Sequence, residues 1–189
     1  DELFSPEQLV QWFDGAHLSK SAAQWDAAKL NWVNAHYIKQ ADDTRLARLV
    51  AELLHARGQA EGVAPARLAA LCALFKDRCS TLVELADWLG MYFIEPAPSA
   101  ADLAQHVPAT LHPALAALRE QLADLPEVAW DKTAIAAAVK QVLAAHGLKM
   151  PQLAPAVRVL VCGRARTPSI DAVLALFERD TVLARLRGI

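Results

Sequence analysis

A lysine set between two serines is chemistry for holding phosphate. Gly15-Ala16-His17-Leu18-Ser19-Lys20-Ser21 carries that pattern near the start of the chain. An ammonium there can neutralise a triphosphate while hydroxyls and a helix N-terminus supply donors. Such a site also needs a parallel sheet whose strand ends point helix N-termini at the phosphates, and a His-x-Gly-His partner. The histidines (His17, His36, His55, His106, His112 and His146) contain no such pair, and no strand-helix alternation is visible. Ser19-Lys20-Ser21 therefore reads as a helix connection with local serine caps. No Gly-rich phosphate loop and no Ser/His/Asp or Cys/His order is present, so no catalytic residue is expected. The histidine spacing lacks H-E-x-x-H, and the three cysteines (Cys72, Cys79, Cys162) form no Cys-x-x-Cys pair. No metal site is expected, and a reducing, cytoplasmic setting suits free thiols.

The second kind of chemistry is cationic. The formal net charge is −2, which by itself argues against a polyanion partner. The average conceals a bias. From Lys149 onward, Lys149, Arg158, Arg164, Arg166, Arg179, Arg185 and Arg187 face only Asp171, Glu178 and Asp180. Local sign, more than total charge, governs a phosphate-binding face. Asp42-Asp43 reads instead as negative charge at a helix N-terminus.

The elements that must carry these side chains read as all-α. A chain of 189 residues with 54% hydrophobic content, much of it Ala and Leu, can bury a core without disulfides. No apolar run is long enough to span a membrane. Ser5-Pro6-Glu7-Gln8 has the form of a capping box with proline at the first helical position, and Gly15 is expected to stop that helix. Asp26 caps a second helix with Leu30, Val33, Tyr37 and Ile38 on one face. Leu46, Leu49, Val50, Leu53 and Leu54 form a third stripe ending at Gly58. Pro65 opens a fourth that buries Leu68, Leu71, Cys72 and Phe75. Thr81-x-x-Glu84 opens a fifth. Pro96-Ala97-Pro98-Ser99 is the clearest break, giving two consecutive helical subdomains, residues 1–97 and 98–189. Beyond it come helices near Ala100–His106 and Pro113–Leu125, one over Lys132–His146 capped by Asp131, and one over 151–162. Thr167 reads as the next N-cap with Pro168 at the first helical position. Val157–Val161 has the composition of a buried strand, but without a partner strand it reads as helix. Trp12, Trp25, Trp32, Trp88 and Trp130 fall on or beside apolar stripes and read as core.

Three segments carry a family resemblance. Leu18-Ser19-Lys20-Ser21 followed by Lys29-Leu30-Asn31-Trp32-Val33-Asn34-Ala35-His36-Tyr37-Ile38 resembles the region downstream of the catalytic domain in bacterial glutamyl-tRNA synthetases. Asp77-Arg78-Cys79-Ser80-Thr81-Leu82-Val83-Glu84-Leu85 is similar to a second segment of that family. Pro155-Ala156-Val157-Arg158-Val159-Leu160-Val161-Cys162-Gly163, with Thr167-Pro168-Ser169-Ile170, is similar to a third. The matches run in order along nearly the whole chain. Between about Ala100 and Leu143 only helical character matches. Cys162 stands where the family has threonine, so any hydroxyl contact there is lost, and Arg164-Ala165-Arg166 is more basic than the family's turn.

The resemblance implies the C-terminal, all-helical anticodon-binding region of a glutamate–tRNA ligase, separated from its catalytic half. A start at Asp1 without methionine suits a fragment. ATP and Mg²⁺ sites would then lie in that other half, and the partners would be tRNA(Glu) and the catalytic domain, with a monomer expected. By the same resemblance Arg158, Thr167, Pro168, Ile170 and Arg78 read anticodon bases, and Arg164 and Arg166 contact phosphate. Unpaired bases can be read by arginine, backbone groups and apolar faces, and a helix start offers free N–H groups. Each residue also has a plain structural role open to it: an ion pair for Arg158, an N-cap for Thr167, core packing for Ile170. A helical protein–protein interaction module is the alternative to tRNA binding.

Overall fold

The computed structural model describes residues 3–16, 21 and 24–187. His17-Leu18-Ser19-Lys20, most of the serine–lysine stretch, lies outside the described residues. Among those described there is no β-strand, and the chain runs as eleven α-helices. They are α1 (Pro6–Trp12), α2 (Ala27–Gln40), α3 (Asp43–His55), α4 (Pro65–Phe75), α5 (Leu82–Gly90), α6 (Ala100–His106), α7 (His112–Asp124), α8 (Lys132–Ala145), α9 (Met150–Cys162), α10 (Ile170–Ala175) and α11 (Arg179–Arg185). Short 3₁₀ turns cover Lys76–Arg78, Ala109–Leu111 and Glu127–Ala129. Val157–Val161 lies inside α9 and is helical.

Local chemistry sets the helix starts. Ser5 and Gln8 exchange both bonds of a capping box, and Pro6 follows the cap. Asp26, Asp42 and Asp131 each accept from the backbone N–H three residues on, at 3.0, 2.9 and 2.8 Å. Thr81 caps α5 by accepting from Glu84 N, while the Glu84 carboxylate reaches one residue further back, to Ser80 N. Helix α1 ends at Trp12, before Gly15, with Phe13 as its C-cap.

Helices α3, α4 and α5 pack together, and α7, α8, α9, α10 and α11 pack around one another with α6 against α9. A single apolar cluster runs from Ile38 to Leu186 through both groups. Across the seam between them runs a file of rings. Trp88 stacks on Phe75 at 5.5 Å, Phe75 meets Tyr92 edge-on at 6.1 Å, and Tyr92 stacks on Phe177 at 4.1 Å. A guanidinium closes each end: Arg164 lies 4.4 Å from the Trp88 ring centre and Arg185 lies 5.1 Å from that of Phe177. Arg185 is buried and donates to the carbonyls of Met91, Val161 and Ile94 at 2.9, 2.7 and 2.7 Å, tying the end of α5 to α9.

The N-terminal helices depart from the expected core. Trp12, Trp25 and Trp32 are 53%, 75% and 51% exposed, and of the expected α2 stripe only Ile38 is buried. Helix α2 rests on the 3₁₀ turn at Lys76–Arg78, and Tyr37 donates to the Phe4 carbonyl at 2.7 Å, contacts too sparse to bury the apolar stripes of α1 and α2. Trp88 and Trp130 are partly buried and pack against the core.

Candidate nucleic-acid interface

Arg158 is placed by α9. Its neighbours Val157 and Val159 face the core, and the helix must end at Gly163, whose φ of +70° suits glycine. The chain then folds back, so that residues 164–168 return along the last turns of α9. Arg158 Nε donates to Thr167 Oγ1 at 3.0 Å, Arg158 Nη2 donates to the Pro168 carbonyl at 3.3 Å, and the Thr167 hydroxyl donates to the same carbonyl at 2.9 Å. These bonds fix the guanidinium plane and leave Nη1 and one Nη2 hydrogen uncommitted.

The charge of Arg158 has no carboxylate against it among the ion pairs of the described residues. Its pKa is lowered, first by burial and also by the nearby Arg78 guanidinium; the Cys162 thiolate would act the other way. Burial pushes the Cys162 thiol up to about 12, so at neutral pH it is uncharged and offsets nothing. Arg78 sits in the 3₁₀ turn that follows α4 and is exposed. Lys76 steadies that turn through an ion pair to Asp43 at 2.8 Å and a bond to the Ala41 carbonyl at 2.9 Å. Arg158 therefore carries a charge that no carboxylate offsets and that a second guanidinium disfavours, an arrangement that favours an incoming anion or carbonyl oxygen.

A cleft of about 650 Å³ opens beside Arg158, between α6 and α9. Met150, Pro151, Ala154 and Pro155 give it an apolar wall, Gln105 and His106 stand on α6, and Arg158, Ala165 and Arg166 complete it. Arg166 is exposed there. Gln105 and His106 fall in the stretch where the sequence offered only helical character. Their role comes from the packing of α6 on α9, which no local pattern encodes.

Other expected site residues have different surroundings. Helix α10 begins at Ile170 with Ser169 as N-cap, so Thr167 is not a cap and Pro168 is not a first helical residue. Thr167 spends its hydroxyl on Arg158 and the Pro168 carbonyl, and Pro168 is buried. Ile170 is 4% exposed and faces the core, so it offers no apolar face to a base. Arg164 is turned to the seam, where it covers Trp88 and donates to the Asp87 carbonyl at 3.4 Å. Cys162 is buried as well, so its departure from threonine changes the interior and not the cleft. Among the described residues no group of three or more His, Cys, Asp or Glu side chains gathers that could hold a metal ion. No helix among them is long and apolar enough to cross a membrane.

Comparison with known proteins bears on the fold and the family. The chain is 56% identical over 188 residues to a glutamate–tRNA ligase from Paracidovorax citrulli, covering 99% of this chain and 39% of the relative. A glutamate–tRNA ligase from Leptothrix cholodnii is 54% identical over 189 residues, covering 100% of this chain and 40% of the relative. The chain thus spans about two fifths of the length of these curated relatives. The fold matches that of a glutamate tRNA ligase from Elizabethkingia meningosepticum with a TM-score of 0.87 at 17% identity, over 99% of this chain and 36% of that one. A family model described as an anticodon binding domain matches residues 45–189, a span that includes Arg78, Arg158 and the whole cleft. The chain belongs to the anticodon binding domain family.

Proposed function

We propose that this chain is the anticodon-reading part of a glutamate–tRNA ligase. It recognises unpaired bases of tRNA(Glu) while a separate catalytic domain of the same enzyme joins glutamate to the tRNA with ATP and Mg²⁺. Residues 1–97 would adjoin that catalytic domain and residues 98–189 would hold the cleft, and the enzyme would work as a cytoplasmic monomer. The observation that carries the reading is Arg158 at the edge of an open cleft, held in plane and with no carboxylate to neutralise it. A half-buried arginine held in plane by Thr167 and Pro168 gains most from a base carbonyl or a phosphate oxygen. Anticodon bases are unpaired and can leave the stack, so their edges are open to such a group.

The test is binding of tRNA(Glu) transcripts that differ at single anticodon positions. Arg158→Ala is expected to cost about 1–3 kcal/mol of discrimination at one position. Binding that ignores both the anticodon and Arg158→Ala defeats the proposal. Capture of a protein partner without any affinity for tRNA favours the interaction-module reading, which the exposed Trp12, Trp25 and Trp32 keep open.

A further inference from the structure

We infer that the cleft between α6 and α9 takes one flipped-out nucleotide, and that Gln105 and His106 of α6 form its opposing wall and help select the base. This rests on the anticodon-reading proposal and extends it to residues that the sequence did not single out.

The cleft is built from two unlike walls. On α9, Pro151, Ala154 and Pro155 present a smooth apolar surface, with Met150 beside it. On α6, Gln105 and His106 close the other side, and Arg158 and Arg166 lie at one end. A volume of about 650 Å³ exceeds what a base alone fills, so ribose and phosphate can enter with it. Imidazole rings and guanidinium planes are the surfaces on which splayed bases stack, and a glutamine amide offers one donor group and one acceptor to a base edge.

Covalent chemistry shapes the apolar wall. Pro155 lies inside α9 and has no N–H, so the Pro151 carbonyl lacks its usual partner four residues on. The same two prolines line the cleft. The walls therefore combine donors at Arg158 with a group of both kinds at Gln105. That set complements a base edge carrying both a carbonyl and an N–H. Arg166, exposed at the mouth, is placed for the phosphate of the same nucleotide. Gln105, His106, Pro151 and Pro155 also border a smaller neighbouring hollow of about 290 Å³, but Arg158 and Arg166 border this cleft and not that one, which commits the cleft to a single nucleotide.

The experiment uses the 189-residue chain and an anticodon stem-loop RNA, followed by fluorescence anisotropy, with versions abasic at each anticodon position in turn. Gln105→Ala and His106→Ala are each expected to weaken binding of the intact loop by about tenfold. Their melting temperatures should stay close to that of the parent chain, because Gln105 is exposed and His106 half-buried. Both losses should vanish with the loop that is abasic where Arg158→Ala also loses its effect. Parent-like affinity in both α6 variants, with Arg158→Ala still impaired, overturns the inference and leaves the anticodon reading standing. Losses that persist with that abasic loop overturn it too. If the parent chain ignores every anticodon change, the anticodon reading fails and takes this inference with it.

Discussion

Arg158 and Thr167, nine residues apart across the turn that ends α9, are joined by a 3.0 Å bond from the guanidinium Nε to the hydroxyl oxygen. The threonine thus acts through the arginine. Thr167→Val keeps the shape and removes the acceptor, and should cost about 1–2 kcal/mol of discrimination between matched and altered anticodons. Because both residues serve one contact, adding Arg158→Ala to Thr167→Val should bring less loss than the sum of the two. A double-mutant cycle on RNA binding measures this, and full additivity would separate their roles.

Arg164 and Arg166 are expected to differ although one residue separates them. Arg166 is exposed at the cleft, so Arg166→Ala should weaken all RNA sequences alike and reduce the salt slope of binding by about 1. Arg164 covers Trp88 instead, so Arg164→Ala should cost about 0.5–1 kcal/mol of stability with the slope unchanged. Titrations at several salt concentrations, paired with urea unfolding, distinguish the two.

Arg185 holds three backbone carbonyls from two parts of the chain. Arg185→Met keeps apolar bulk and strips those acceptors of their donor. A loss of about 3 kcal/mol or more in unfolding free energy is expected, since each bond has a charged donor. Unchanged stability in urea would mean that the carbonyls find other partners.

Alkaline pH should destabilise the chain through its thiols. Burial pushes Cys72 up to about 12, Cys79 up to about 11 and Cys162 up to about 12. In the unfolded chain each ionises near the ordinary thiol value of about 8.5. The folded state thus holds protons that the unfolded state releases. The thiol contribution is intact below that pH and is lost as pH rises toward 11 and 12. Burial raises the Tyr92 phenol too, which adds to the fall at still higher pH. Unfolding free energy measured from pH 8 to 10.5 should decline, less steeply in Cys162→Ala; a flat profile would contradict the burial. Alkylation at pH 8 should be slow until urea opens the core.

Much of the fold was legible because its signals are local. Ser5, Asp26, Thr81 and Asp131 each cap the helix that the sequence assigned to them. The misreadings share a cause. Thr167-Pro168 has the form of a helix start, but Arg158 engages the threonine and delays the helix to Ile170. Trp12 and Trp32 have core spacing, yet burial needs a second layer that their own helices do not supply. For the cleft, Arg158 was legible from a resemblance, while Gln105 and His106 depend on how α6 lies on α9. That is a long-range packing result with no trace in nearby residues.

Gly163 sets a tolerance for the molecule. A methyl group built there would come within 3.2 Å of Pro96 Cβ, and the backbone angle of +70° already disfavours any larger residue. Pro96 belongs to the crossover between the helices that carry Arg78 and those that carry Arg158. The bare α-carbon of Gly163 thus sets the clearance at that crossover, and one added carbon would force Pro96 to give by a few tenths of an ångström.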